Sequence, residues 1–422
     1  MALHETEHLD DRSGELAGFR RHVREWLARH APRPGQRPPP GDEIERLDRA
    51  RRMQAALHDA GLVGITWPVE WGGRGLTRRE QLVVAEESAA YELGTSVFAI
   101  GLGMCGPTVL AHGTDAQRRR YLRPLLRGEE IWCQLFSEPG AGSDVASLRT
   151  RAVRDGEAWR VDGQKVWTSG AQHCTFGLLL ARTDPDVPKH EGLTMFVVDM
   201  RAPGVTVRPL RQMSGESHFN EVFLDDVRTD EVVGPIGEGW PVARTTLMNE
   251  RVSVSGGTTG TGTSADALVR LAQGGDRASD PLVRQALAEV WIREKTLHYV
   301  RERVRAAARA GLAPGPEGSV AKLASSDLAQ RAASLAVALQ GPGALAWDPT
   351  DERGERWSRR VCAAPGASIG GGTDEILRNL VGERVLGLPR EPAVDRDVPF
   401  RDLVQDTRDR TGRPGPPEDP TG

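Results

Sequence analysis

The chain has 422 residues, a formal net charge of −4 and a mean hydropathy of −0.43, which allows two or three folding units with sizeable cores. Both signs of charge are interspersed and no basic, aromatic-rich face stands out, so a nucleic-acid partner is not expected. No stretch approaches the roughly 18 unbroken apolar residues of a membrane span, and the acidic start "MALHETEHLDDRSGEL" lacks a signal-peptide pattern, which leads to a cytoplasmic expectation.

The N-terminal third reads as helical. Residues 1–13 are polar and expected to be flexible, and a helical domain is expected over 14–130. "GELAGFRRHVREWLARH" carries Leu16, Phe19, Val23 and Leu27 at helical spacing. The connector "PRPGQRPPPG" interrupts it, and a second helix runs from the cap Asp42 to the stop Gly61. "TRREQLVVAEESAAYEL" and "DAQRRRYLRPLLRG" supply two more helices.

At Ile131 the period changes. Segments such as "EAWRVDG", "GLLLART", "GLTMFVVDM" and "NEVFLDDV" alternate with turns and define a β domain over 131–239. Helical spacing returns over 240–390, and residues 391–422 have little to bury and are expected to be flexible. The order is therefore α, β, α.

Several features carry little chemistry on their own. Cys105, Cys133, Cys174 and Cys362 stand far apart and are expected to be reduced thiols. Only four of the 55 basic residues are lysines, a skew assigned to codon usage. "HETEH" matches a zinc spacing but lies in a polar terminus without a third ligand, so no metal is expected. "GLGMCG" (Gly101–Gly106) matches a dinucleotide fingerprint, but Pro107 follows and a helix precedes it, so a tight turn between packed helices is expected.

Two segments are more specific. In "QLFSEPGAGSDVASL" the glycines let backbone N–H groups face a polar ligand closely, although a plain cluster of turns would read the same. In "GQKVWTSG", Trp167 adjoins the hydroxyls of Thr168 and Ser169, as suits a flat heterocycle, and a core Trp on a strand is the alternative. With "LVGITWPVEWGGRG", "FNEVFLDDVR", "NERVSVSGG" and "GGTDEILRNLVGERVLGLP" in the same order, the chain resembles the acyl-CoA dehydrogenase family of flavoproteins over roughly residues 15–390.

The resemblance implies an α+β multidomain fold: an N-terminal helical domain, a middle β-barrel-like domain and a C-terminal four-helix bundle, assembled as a homo-oligomer, dimer or tetramer. FAD is the implied cofactor. Gln134, Leu135, Phe136, Ser137, Gly142 and Ser143 would line the flavin, with Ser143 also beside the acyl-CoA. Trp167, Thr168 and Ser169 would flank the isoalloxazine, Ser169 donating to N5, and Thr373 and Glu375 would open the last helix near the cofactor. Asn249, Arg251 and Gly371 would lie at the substrate.

The implied reaction is α,β-dehydrogenation of a thioester, which needs a base for the α-proton, a hydride acceptor and a polarised carbonyl. Much of the family places that base just before the Gly-Thr opening the last helix, where this chain has Gly371. Some members place it immediately before an Arg on a helix of the C-terminal domain, and Glu250 precedes Arg251 here. Enclosing a carboxylate raises its pKa toward working pH, as an efficient base requires.

The empty position 371, with Gly256 and Gly257, would leave room for a branched or bulky acyl group; close backbone packing would ask for the same glycines. An electron-transfer flavoprotein is the implied acceptor, and an acyl carrier protein thioester is an alternative to CoA. Arg277 and Arg284 are candidates to reach FAD of a neighbouring subunit. The rival readings are a flavin oxidase or monooxygenase on the same fold, and a silent subunit of a hetero-oligomeric dehydrogenase.

Overall fold

The computed structural model describes residues 2–36, 40–256, 264–310, 317–345, 352–393 and 395–403, without the side chains of 2–13, 251–256, 308–309, 317 and 352–356. Five helices come first: α1 (Ala2–His30), α2 (Glu43–Asp59), α3 (Arg78–Ser88), α4 (Gly106–His112) and α5 (Asp115–Arg127). Their starts are set by side chains. Asp42 accepts from the Glu45 N–H, and Thr77/Glu80 and Thr114/Gln117 form capping boxes, satisfying first-turn donors that would otherwise lack partners.

"GLGMCG" is not a turn. Gly101–Cys105 forms one π-helical turn leading straight into α4. The glycines serve packing, since a Cβ at Gly106 would stand 2.4 Å from the Trp67 ring.

The middle domain is one eight-stranded sheet of β1 (Trp132–Leu135), β2 (Arg151–Asp155), β3 (Ala158–Ser169), β4 (Phe176–Arg182), β5 (Leu193–Asp199), β6 (Val205–Leu210), β7 (Phe219–Thr229) and β8 (Val232–Val233). The order is β6-β7-β3-β2-β4-β5-β8, with β1 pairing parallel to β4. β4 and β5 are buried on both faces, and their period of two sends alternate residues into different cores. Leu178, Leu180, Met195 and Val197 meet Val109, Leu122 and Leu126 on one side. Leu179, Ala181, Phe196 and Val198 meet Val161, Val222 and Val227 on the other.

The C-terminal helices are α6 (Gly239–Gly256), α7 (Ala265–Gly274), α8 (Pro281–Arg309), α9 (Glu317–Gln340), α10 (Glu352–Ala363) and α11 (Asp374–Arg384). α7 to α10 share a core around Leu268, Leu287, Ala332 and Trp357. α6 belongs elsewhere: Val242 and Ala243 join the core of α4, α5 and β4. No helix among the described residues is long and apolar enough to cross a membrane.

The ends of the chain differ from expectation. α1 starts at Ala2, with the side chains of His4 and His8 outside the described residues. Residues 395–403 dock on the middle domain: Phe400 is buried and its N–H donates to Val187 O at 2.9 Å. Composition missed this because one aromatic ring and two ion pairs, with Lys189 and Asp186, suffice to hold a short segment.

Candidate active site

β1 and β3 end side by side. The Val166 N–H donates to Ser137 O at 2.9 Å, tying the chain that leaves β1 to the last turn of β3. Gln134, Leu135, Phe136 and Ser137 are thereby brought beside Trp167, Thr168 and Ser169. Beneath them Lys165, fully buried, donates to Phe136 O (3.0 Å), Leu180 O (2.9 Å) and Glu138 Oε1 (2.9 Å). Glu138 also accepts the N–H groups of Arg149 (2.6 Å) and Thr150 (2.8 Å), closing the 138–150 loop.

Burial alone would raise the Glu138 pKa, but Lys165 and the donors around it hold the carboxyl below the usual range. Burial lowers the Lys165 pKa against the pull of Glu138. We read the two as an ion pair whose every donor is satisfied.

Trp167 carries an unusual backbone. The β3–β7 register slips between Lys165 and Thr168, and Trp167 sits in that bulge at φ 60°. A left-handed conformation is costly for a bulky side chain and marks a place where the surroundings impose it. Its indole is 59% exposed and edge-on to Phe219. Next to it Thr168 is buried, and its hydroxyl lacks a partner among the described residues. Asn220 donates to Thr168 O (3.1 Å) and Gln172 Oε1 (2.6 Å), fixing the strand end from below.

Gly140 and Gly142 lie on the exposed loop above. A Cβ at either would meet nothing within 4 Å, so packing within the chain does not require glycine there. Ser143 is exposed, and the adjacent Asp144 pairs with Lys189.

Glu250 and Asn249 lie on α6, half-buried. Ala243, Thr246 and Glu250 are spaced i, i+3 and i+7, so Glu250 shares the inward face on which Thr246 meets Thr108 at 2.9 Å. Asn249 Nδ2 donates to Thr245 O at 2.9 Å. The side chain of Arg251 lies outside the described residues, as does all of Gly257, while Gly256 ends the helix.

The turn before α11 forms a separate cluster on the bundle. Gly371 (φ 69°) and Gly372 (φ 93°) are both left-handed, a conformation that calls for glycine whatever the space beside them. Thr373 caps α11 by accepting from the Ile376 N–H, and Glu375 is exposed, 3.6 Å from Arg378. Lys322 on α9 donates to Gly372 O (2.8 Å) and Asp374 Oδ1 (3.2 Å). The bundle reaches the middle domain through Arg359, which donates to Ser214 O at 3.4 Å. Arg277 is engaged within its own bundle with Ala338 O at 2.9 Å, and Arg284 is exposed.

Sequence reasoning overlooked the lysines. Three of the four (Lys165, Lys189 and Lys322) are buried, and each ties down a loop or turn discussed above. In a chain that otherwise uses arginine, their retention was the available signal. A compact ammonium fits where a planar guanidinium does not.

The end of β3 thus carries an exposed indole and, next to it in sequence, a buried hydroxyl without a partner among the described residues, while the loop after β1 carries glycines with open space beside them. Family models match as acyl-CoA dehydrogenase N-terminal domain over residues 13–129, middle domain over 133–227 and C-terminal domain over 237–386. The chain is 41% identical over 355 residues to acyl-CoA dehydrogenase FadE34 of Mycobacterium tuberculosis, covering 82% of this chain but 47% of that relative. It is 39% identical over 386 residues to acyl-CoA dehydrogenase IpdE1 of the same organism, covering 89% of this chain and 99% of the relative.

Among solved structures, the Tcur3481-Tcur3483 steroid ACAD superposes with a TM-score of 0.73 at 28% identity, over 90% of this chain and 98% of that one. The ChsE4-ChsE5 complex from Mycobacterium tuberculosis does so with a TM-score of 0.70 at 28% identity, over 89% of this chain and 98% of that one. The chain belongs to the acyl-CoA dehydrogenase family, whose members are FAD-dependent flavoproteins acting on acyl-CoA. The open indole, the Thr168 hydroxyl without a partner among the described residues and the bare glycines fit a flavin.

Proposed function

We infer that the chain catalyses α,β-dehydrogenation of an acyl-CoA thioester carrying a branched or bulky acyl group, with Glu250 as the base. The observation that carries this reading is a pair: position 371 is a left-handed glycine without a proton acceptor, and Glu250 lies on the inward face of α6. Bound FAD supplies the two-electron acceptor. The Glu250 carboxylate takes the α-proton. Trp167 and the 139–143 loop would cover the ring and exclude water, and the hydroxyls of Thr168 and Ser169 would orient it. Gly142 and Ser143 present backbone N–H groups and a hydroxyl to the ligand, and Asn249 and Arg251 flank the base on the substrate side. Thr373 and Glu375, at the start of α11, would face the cofactor from the bundle side.

A steroid-type relative supports a bulky acyl group, and Gly371 carries no side chain that would stand against one. The electron acceptor is an electron-transfer flavoprotein. A second reading has a specific support: two similar structures, Tcur3481-Tcur3483 and ChsE4-ChsE5, pair differently named chains, so this chain is also a candidate for one subunit of a two-component enzyme.

The test is anaerobic titration with acyl-CoAs while following flavin absorbance near ~450 nm. Bleaching of the wild type but not of Glu250→Gln supports the assignment. Equal bleaching in both overturns it, and strict preference for butyryl- or hexanoyl-CoA refutes the bulky pocket.

A further inference from the structure

The connection between β4 and β5, residues 183–192, touches three parts of the chain that are remote in sequence. Lys189 Nζ lies 2.8 Å from Asp144 Oδ2, next to Ser143, and 2.6 Å from Asp395 Oδ2, beyond the last helix. His190 packs edge-on against Trp240, at the start of the helix carrying Glu250, with ring centroids 4.9 Å apart.

Arg182, at the root of the same connection, is buried and donates to Ala146 O (2.6 Å), Leu148 O (3.3 Å) and Lys189 O (3.2 Å). The opposite side of its guanidinium is covered by Phe400, whose ring centre lies 3.6 Å from Arg182 Cζ. The N–H groups of Phe400 and Arg401 donate to Val187 O (2.9 Å) and Pro185 O (3.0 Å). Two cations therefore hold the loop that follows Ser143 on one side and residues 395–401 on the other.

The geometry points to Lys189, held between Asp144 and Asp395 beside the Arg182–Phe400 stack, as a positioning residue for the loop carrying Gly142 and Ser143, which makes the segment after the last helix part of the scaffold of the ligand site. This rests on the reading that the loop borders flavin and thioester. The arrangement is sensitive to Lys189 because two carboxylates face one ammonium. Removing the ammonium deletes both attractions and leaves Asp144 and Asp395 to repel across the same gap. Burial pulls the Lys189 pKa down, but the two carboxylates outweigh it and hold the lysine charged.

The test uses the full-length holoenzyme and reads the flavin without substrate, so it is independent of the identity of the base. FAD is stripped and titrated back into wild type, Lys189→Met, Lys189→Arg and Phe400→Ala, following flavin fluorescence and the visible circular dichroism of the bound ring. The expected result is a Kd for FAD raised about tenfold in Lys189→Met, with an altered visible spectrum. A smaller rise is expected in Phe400→Ala, and near-wild-type values in Lys189→Arg, which can still bridge two carboxylates.

An unchanged Kd and spectrum in Lys189→Met, with only the melting temperature lowered, would reduce Lys189 to a structural residue and overturn the inference. Should Lys189→Met not fold, Asp395→Asn decides. It leaves Lys189 paired with Asp144 and cuts only the tie to the terminal segment: loosened FAD supports the inference, unchanged FAD overturns it.

Discussion

Replacing Lys165 by methionine isolates what the buried charge pair beneath the site contributes. The substitution keeps the length of the side chain and removes its three donors. Phe136 O and Leu180 O lose a partner, and Glu138, 8% exposed, is left as a buried carboxylate with only the Arg149 and Thr150 N–H groups to hold its charge. Breaking a buried pair from one side costs about 3–5 kcal/mol. At roughly 2–4 °C per kcal/mol, a figure for domains somewhat smaller than this chain, the melting point should fall by on the order of 6–20 °C. Adding Glu138→Gln removes the stranded charge, so Lys165→Met/Glu138→Gln should recover about 2 kcal/mol of the loss. Differential scanning calorimetry of the four proteins closes the cycle. A single variant melting within about 2 °C of wild type, or a double variant no more stable than the single, would refute the reasoning.

Three further outcomes follow from the structure. A Cβ at Gly163 would stand 2.3 Å from Thr150 Oγ1 and 2.7 Å from Thr150 Cα, so Gly163→Ala should destabilise by about 2 kcal/mol or more in urea unfolding. Gly142→Ala meets nothing and should leave stability within about 0.5 kcal/mol while weakening FAD in a binding titration; the reverse pattern would contradict the assignment of the two glycines. Docking of residues 395–403 should depend on acid. Lys189 lowers the Asp395 pKa below its ordinary 3.8, so the contribution is complete above that value and is lost as pH falls through the lower folded value. Lys189 titrates above its ordinary 10.5, so no loss is expected near neutrality. Protection of the Phe400 and Arg401 amides from hydrogen exchange should therefore persist at pH near ~7 in wild type and be lower there in Asp395→Asn.

Much of the architecture was legible because local rules and tertiary demands agree. Asp42 and Thr373 cap helices as their chemistry allows, and the apolar runs "GLLLA" and "LTMFVV" become strands because both faces of β4 and β5 are covered. The features that escaped are set by partners distant in sequence. Nothing local marks Trp167 for a left-handed bulge; the register against β7 imposes it. Phe400 lies in a polar tail and is buried only because Arg182, over two hundred positions earlier, offers a flat cation. Gly371 was read as space for a ligand or as a close backbone contact, whereas its own left-handed dihedral angle is a sufficient reason for glycine there.

The allegiance of α6 has a practical consequence. Val242 and Ala243 close the same apolar interior as Val109, Leu122, Leu178 and Met195, whereas α7 to α10 pack around a separate interior of their own. The boundary read from the change of hydrophobic period, just ahead of Trp240, would cut through a shared hydrophobic seam and leave it open to water. A fragment meant to stand alone has to keep its first C-terminal helix, and the proposed base travels with it.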